Sequence, residues 1–179
     1  MILSRVMATR IGGAVERCHG ITHYGSYSVA AHTWGVLSLL YILWPDDFGR
    51  LAPNVMFHDV PEAWVGDIPA PTKRYSRVVK AACEEMELQI LKRFQLPSDL
   101  ILDDLDRAKV RACDSLELYL WSREQVLGGN QHASCIVREL NRFYLETPLP
   151  EPANTLLYEI RHGGSVEHAT DGLIMELNR

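Results

Sequence analysis

Apolar residues recur at three- and four-residue steps along almost the whole chain, the spacing that places them on one side of an α-helix. In residues 76–94, for example, Val79, Cys83, Met86 and Ile90 follow these steps. No stretch shows convincing two-residue alternation of β-branched residues, the pattern of a half-buried strand. The chain is therefore predicted to be all-α, a compact bundle of about six helices.

Capping residues and prolines set the predicted helix boundaries. Ser28 is a plausible N-cap, Pro45 ends the helix that Ser28 begins, and Gly66 closes the next one. Pro53 falls near the first turns of that next helix or at an internal break. The segment GDIPAPTKR, residues 66–74, contains two prolines and is predicted to be a loop. The predicted helices cover residues 3–15, 29–43, 46–65, 76–94, 100–127 and 131–146, with a short piece at 155–161 and a weakly patterned tail.

Length and charge narrow the class of protein. A chain of 179 residues suits one domain, predicted to span 1–179 with its core at about 10–146 and a C-terminal extension at 147–179. The net charge is -5. An acidic chain is poorly suited to binding duplex DNA, where affinity rests on many phosphate contacts, but a few local cations can still bind a small anion.

Cysteine spacing and hydropathy indicate a reduced, cytoplasmic protein. None of the four cysteines forms a CxxC pair. The first residues lack the apolar run and small-residue cleavage site of a signal peptide. The longest apolar stretch, around Val36 to Trp44, is far shorter than the ~20 residues that span a bilayer. No membrane partner is therefore expected.

The strongest chemical signal is the adjacent pair His58-Asp59 in an otherwise apolar segment. Glu62 follows four residues after His58 and three after Asp59, so all three can face one side of a helix. An imidazole nitrogen and a carboxylate oxygen are suitable ligands for cobalt, manganese, zinc, nickel or iron. Because two ligands do not make a site, other parts of the chain must supply more.

Two further polar residues lie in apolar helical segments. His32 lies in VAAHTWGVL and Asp114 lies in RACDSLELYL. A buried carboxylate is costly without a cation or donor, so Asp114 needs a partner. A metal ion shared with His32 would satisfy it, and so would Arg111 or Arg17. Histidines that only form hydrogen bonds within a metal-free helical core are the other interpretation of the pattern.

Taken in order, His32, the pair His58-Asp59, and Asp114 resemble the signature of the HD-domain phosphohydrolase superfamily. That signature is a histidine on one helix, a His-Asp pair on the next, and an aspartate on a later helix. The resemblance covers roughly residues 10–145. It implies an HD-type helical fold in which these four residues hold one divalent metal ion.

A more detailed resemblance is to the branch that contains bacterial 5'-deoxynucleotidases and phage enzymes that degrade dATP. That branch has an early arginine, an AEHS-like motif, HDxxE and GDxPxPxK. The matching residues here are Arg17, AAHT at 30–33, HDVPE at 58–62 and GDIPAPTK at 66–73. Ala31 replaces the glutamate that usually precedes the first histidine, and Cys18 replaces an aromatic often found after the arginine. The resemblance therefore bears more on the catalysis than on the substrate.

The resemblance also implies roles for residues around the metal. Glu62 and Asp67 are the candidates for proton transfer, one at the attacking water and the other near the leaving 5'-oxygen, and the two roles could be exchanged. Arg17 and Lys73 are expected to hold phosphate oxygens, as a bidentate donor and a point charge. The alternatives are a loop-capping carboxylate for Asp67 and solvated surface charges for the two cations.

The function implied by the resemblance is hydrolysis of the 5'-phosphate ester of a deoxynucleotide. The substrate is either a monophosphate, giving phosphate, or a triphosphate such as dATP, giving triphosphate. His19 and Thr22 lie in the loop that could border the sugar or base. The alternative is a non-catalytic module that holds metal and nucleotide. The resemblance further implies a homo-oligomer, a dimer or larger, and a small-molecule substrate rather than a polymeric nucleic acid.

Overall fold

The computed structural model describes residues 1–98, 102–162, 169–170 and 175–176. Over these residues the chain is helical and contains no strand, only an isolated bridge between Glu16 and Ser28. The predicted all-α class is thereby confirmed. The described chain divides into two compact units, Met1–Ile21 with Gly25–Asp103, and Thr22–Tyr24 with Asp104–Arg179. The prediction of a single domain stays a prediction.

Side-chain caps begin two helices of the first unit where the sequence indicated. The Ser28 side chain accepts a hydrogen bond from the Ala31 N–H, and the Ser76 side chain accepts one from the Val79 N–H. Pro53 lies within the third helix without ending it. The helices of this unit are α1 Ile2–Gly13, α2 Val29–Leu43, α3 Pro45–Phe57, α4 Glu62–Val65, α5 Ala70–Tyr75 and α6 Arg77–Phe94.

The single helix predicted over 46–65 is wrong, because α3 ends at Phe57 and α4 begins at Glu62. Between them, backbone hydrogen bonds join residues that are three apart. The Val60 N–H, for example, donates to the Phe57 carbonyl oxygen at 3.2 Å. Such bonds tighten the turn, and Pro61 has no N–H with which to continue an α-helical ladder. The histidine-aspartate pair therefore lies on a turn between two helices.

The loop predicted over 66–74 is also partly wrong, since it contains the helix α5. Gly66 ends α4 as expected, with a φ of 86° that favours glycine. Pro69 precedes the new helix and Pro71 lies in its first turn. A proline is tolerated there because the first N–H groups of a helix have no intrahelical acceptor.

In the second unit, α7 covers Asp104–Leu127. Its predicted start at Leu100 lies outside the described residues, as does most of the tail after residue 162. The helix predicted over 131–146 begins with a 3₁₀ turn at Gln131–Ala133 and continues as α8, Ser134–Glu146. The helix α9, Ala153–His162, follows in this unit.

A close approach in the first unit fixes α1 against the turn that carries the histidine-aspartate pair. Gly12 is buried, and a Cβ atom added to it would lie 2.7 Å from the Val60 Cα and 2.8 Å from the Val60 carbonyl oxygen. Only glycine permits this approach without a shift of backbone.

Buried Val36, Leu40 and Val55 contribute to the core of this unit. Every helix in the described ranges is too short or too polar to cross a bilayer.

Candidate metal centre and active site

Three of the four predicted metal ligands come together within the first unit. His32, His58 and Asp59 each offer a ligand atom, and these atoms lie within 4.8 Å of one another. The Nε2 atom of His32 is 3.7 Å from Asp59 Oδ2, and that of His58 is 3.2 Å from Asp59 Oδ1. Both imidazoles therefore present Nε2 to the same carboxylate.

The other nitrogen of each imidazole has a hydrogen-bond partner that favours this arrangement. His58 Nδ1 lies 2.6 Å from the carbonyl oxygen of Val55, which can only accept, so Nδ1 carries the proton. His32 is fully buried, and its Nδ1 lies 3.2 Å from the Tyr27 hydroxyl. A ligating histidine typically uses its second nitrogen in this way, which leaves the Nε2 lone pair for the metal.

Two imidazole nitrogens and a carboxylate oxygen suit a divalent transition metal ion. The donor set and its supporting hydrogen bonds fit such an ion.

Asp114, the fourth predicted ligand, lies half-buried on α7 in the second unit. Burial raises the pKa of the neighbouring Cys113 thiol to about 12, and the Asp114 carboxylate contributes to the same rise. Ligation by Asp114 stays a prediction.

Arg17 lies beside the cluster. Its guanidinium forms an ion pair with Asp59, and its Nη1 atom is 3.7 Å from Glu62 Oε1. Backbone pairing places it there, because the Arg17 N–H donates to the Tyr27 carbonyl oxygen at 2.8 Å, just before α2. This cation is thus part of the site and not a solvated surface charge.

Glu62 begins α4 immediately after the turn, with its side chain only 12% exposed. The pKa of Glu62 is raised to about 8, mainly by burial and then by the nearby Asp59 carboxylate, and the Arg17 guanidinium opposes this rise. Its Oε2 atom has no hydrogen-bond partner among the described residues. A cation bound at the neighbouring cluster would favour the ionised carboxylate.

Asp67 and Lys73 occupy the segment after α4. Asp67 Oδ2 accepts a hydrogen bond from the Cys18 N–H at 2.8 Å and lies 3.5 Å from His19 Nδ1. Lys73 Nζ lies 3.2 Å from Glu87 Oε1 on α6. Asp67 therefore ties this segment to the one that carries Arg17.

The two predicted sugar or base contacts belong to different units. His19, with an exposed side chain, belongs to the first unit beside Asp67. Thr22 belongs to the second unit, where its carbonyl oxygen accepts a hydrogen bond from Asn130 Nδ2 at 2.9 Å. Their contact with substrate stays a prediction.

Sequence reasoning missed three residues of this region. Tyr27 supports His32 and Glu87 pairs with Lys73, and nothing in their spacing indicates either contact. Asn54 is different, because it lies four residues before His58 in an apolar helical segment. That spacing places it on the same helix face as the histidine, so the sequence contained a usable signal.

Solved structures share this helical fold. An HD-domain phosphohydrolase from Listeria innocua superposes with a TM-score of 0.67 at 20% identity, over 90% of this chain and 86% of that one. The cyanophage S-2L HD phosphohydrolase DatZ, bound to dA and one catalytic Zn²⁺ ion, gives a TM-score of 0.64 at 14% identity. That match covers 88% of this chain and 94% of the DatZ chain. The predicted HD-type fold is confirmed.

The sequence assigns the chain more narrowly. It belongs to the YfbR-like 5'-deoxynucleotidase family, whose family model matches residues 13–142. A dATP triphosphohydrolase from Salmonella phage PMBT28 is 30% identical over 137 residues. This match covers 66% of the chain and 66% of that relative, slightly under two thirds of its length. The resemblance drawn from the motifs is thereby confirmed.

Proposed function

We propose that this chain is a metal-dependent phosphohydrolase that breaks the 5'-phosphate ester of deoxynucleotides. The observation that carries the proposal is the convergence of His32, His58 and Asp59, with both Nε2 atoms directed at one carboxylate. Arg17 and Glu62 lie beside this cluster. Membership of a 5'-deoxynucleotidase family supports the same reaction.

The proposed mechanism assigns the attacking water to Glu62. A bound divalent ion would lower the pKa of a water molecule bound to it and would neutralise charge on the phosphoryl group. Glu62 would orient the water or accept its proton, because its Oε2 atom has no hydrogen-bond partner within the described ranges. Arg17 would bind a phosphate oxygen through its planar guanidinium, whose several N–H donors match phosphate geometry.

The leaving 5'-oxygen of a sugar benefits from protonation, and Asp67 is the proposed group near it. Its Oδ2 atom is held by the Cys18 N–H, which fixes the carboxylate close to the segment that carries Arg17. Lys73 is proposed as a further phosphate contact. Its ammonium group pairs with Glu87 and would have to share its three donors between that carboxylate and the phosphate.

Monophosphates and triphosphates are both proposed as substrates, because the same bond to the 5'-oxygen breaks in each. The family description favours the monophosphate, and the phage relative's activity on dATP favours the triphosphate. For the metal we propose cobalt, manganese, zinc, nickel or iron, all of which suit nitrogen and oxygen ligands. We further propose a homo-oligomer in the cytoplasm, of the host if the chain is phage-encoded.

A product screen tests the proposed function. Deoxynucleoside monophosphates, ribonucleoside monophosphates and deoxynucleoside triphosphates are incubated with the protein and each divalent metal, and both phosphate and triphosphate are measured. Metal-dependent release from deoxynucleotides is expected. Binding of metal and nucleotide without release of either product would instead favour the non-catalytic module.

A further inference from the structure

The helix α2 carries no charged side chain on either its inner or its outer face. Its residues, Val29–Leu43, include no lysine, arginine, aspartate or glutamate. The inner face lies in the core of the first unit, where Val36 and Leu40 are fully buried and His32 contributes to the metal cluster. A helix that is apolar all round is normally covered on all sides. The outer face of α2 therefore needs a covering surface as well.

Three large side chains are exposed on the outer face of α2. Trp34 is 74% exposed, Tyr41 60% and Ile42 72%. Tyr41 and Ile42 follow Trp34 by about two helical turns, so the three side chains share one face. Ser38 lies between them, and its hydroxyl donates to the Trp34 carbonyl oxygen at 2.8 Å. The middle of this face can therefore be covered without leaving the hydroxyl donor unsatisfied.

The exposed apolar area is of the size found in protein–protein contacts. The three large side chains alone expose roughly 400 Å², about half of the ~800 Å² that each partner buries in a stable interface. The helix α1 meets the start of α2, because a Cβ atom added to Gly13 would lie 3.4 Å from the Ala30 Cβ atom. Met7 and Ile11 on α1 are about half exposed and add further apolar area.

The charges around α2 argue against a membrane surface as the cover. A helix that lies on a bilayer typically presents lysine and arginine to anionic headgroups. The helix α2 has neither, and Asp46 and Asp47 begin α3 directly after it. Anionic lipid would repel these carboxylates.

A second copy of the chain matches this face in charge. The net charge of -5 makes two copies repel one another over much of their surface. In a two-fold contact, however, the same patch of each copy meets itself. A patch without charged residues can do so without like-charge repulsion, and its aromatic side chains are of the kind enriched in the buried centre of interfaces.

We propose that the outer face of α2 packs against the same face of a second copy, with the two helices antiparallel. The two-fold axis then passes near Ser38, and Trp34 of each copy packs against Tyr41 of the other. The proposal rests on the homo-oligomer of the proposed function and names its interface. It requires no particular substrate, and it covers the back of the helix that holds His32.

Sedimentation velocity over a range of micromolar concentrations tests this interface. Wild-type protein should sediment as a dimer, and Trp34→Glu should raise the dissociation constant at least about thirtyfold, the effect of losing a central aromatic anchor. Tyr75→Glu, at an exposed aromatic position on α5, should leave the dimer intact. Circular dichroism confirms that each variant keeps its helices.

A charge pair tests the antiparallel arrangement itself. Tyr41→Lys alone should weaken the dimer, whereas the double variant Trp34→Glu with Tyr41→Lys should restore it, because each introduced carboxylate then faces an introduced ammonium group of the other copy. High salt should weaken the restored dimer. A folded double variant that stays monomeric would overturn the proposed packing.

Three other results would overturn the proposal. They are a monomeric wild type, a Trp34→Glu protein that remains as dimeric as the wild type, and binding of the wild type to phosphatidylglycerol vesicles that Trp34→Glu abolishes. Sedimentation needs no substrate, which separates this proposal from the proposed reaction. A dimer without turnover would reject hydrolysis alone, and an active monomer would reject the interface alone.

Discussion

The Nδ1 atom of His58 lies 2.6 Å from the carbonyl oxygen of Val55, three residues earlier on α3. The carbonyl can only accept, so the imidazole proton is on Nδ1 and the Nε2 lone pair faces Asp59. The end of a helix thus determines which nitrogen is available to a metal. The Tyr27 hydroxyl lies 3.2 Å from Nδ1 of His32 and orients that ring, although a hydroxyl both donates and accepts and so does not by itself determine the tautomer.

Tyr27→Phe tests that support. The hydroxyl orients the buried His32 ring, and loss of such an outer partner typically weakens metal binding by about 10–100-fold. Competition with a chelator measures the affinity. Tyr75→Phe is the control, since Tyr75 is 94% exposed, and its affinity should equal that of the wild type. Equal affinity for Tyr27→Phe and wild type would contradict the role given to the hydroxyl.

Asp114→Asn tests the ligand that the sequence predicts from the second unit. If Asp114 completes the site, the variant should lose more metal affinity than the roughly 10–100-fold typical of outer partners. Asp104→Asn serves as the control, because Asp104 begins the same helix with a fully exposed side chain. Wild-type affinity in both variants would limit the protein's ligands to His32, His58 and Asp59.

The pair of Lys73 and Glu87 predicts a pH dependence of stability. Burial lowers the pKa of Lys73, but the charge and hydrogen bond of Glu87, with smaller contributions from Glu62 and Cys83, together raise that pKa above 10.5. A raised folded-state pKa stabilises the protein below pH 10.5, and this contribution is lost as pH rises through the folded-state value. A partly exposed pair contributes about 0.2–1 kcal/mol.

Chemical denaturation of wild type and Glu87→Gln measures this contribution. The difference in free energy of unfolding should be present at pH 9 and shrink above pH 10.5, and Lys73→Met should remove its pH dependence. Glu84→Gln provides a control, since Glu84 is exposed and lies 3.7 Å from Lys80. A difference that grows with pH above 10.5 would contradict the assignment.

Gly12→Ala tests the close approach of α1 to the turn. The added Cβ atom would meet the Val60 backbone at 2.7 Å, and overpacking of this kind typically costs about 1–3 kcal/mol. Gly49→Ala is the control, because its added Cβ atom meets nothing within 4 Å in α3 and should stabilise that helix by up to about 1 kcal/mol. Equal unfolding midpoints for the two variants would argue against a tight contact.

Much of this architecture could be predicted because its causes are local. The caps at Ser28 and Ser76 and the stop at Gly66 are determined by the residues themselves. The turn before Pro61 was missed because apolar spacing continues across it, and the spacing alone cannot show where a ladder changes from four-residue to three-residue bonds. The helix α5 was missed because prolines in a first turn resemble those of a loop.

The candidate site also has residues that the sequence predicts and partners that it does not. Ordered motifs identified His32, His58 and Asp59, whose ligand atoms do converge in the structure. The partners that orient them could not be predicted, since Tyr27 reaches His32 through its side chain and Val55 reaches His58 through a backbone carbonyl. Such contacts depend on how helix ends are placed, which hydrophobic spacing does not encode.

The proposed hydrolysis of deoxynucleotides depends on a metal ion at this cluster, with Glu62 beside it. The most direct test is phosphate and triphosphate release by the metal-stripped protein before and after addition of Co²⁺ or Mn²⁺. Release should be absent without metal and restored with it. Glu62→Gln should still bind metal but lower kcat by about 10²–10⁴-fold, while Glu159→Gln, exposed on α9, should not change it. Release without metal, or full turnover by Glu62→Gln, would contradict the claim.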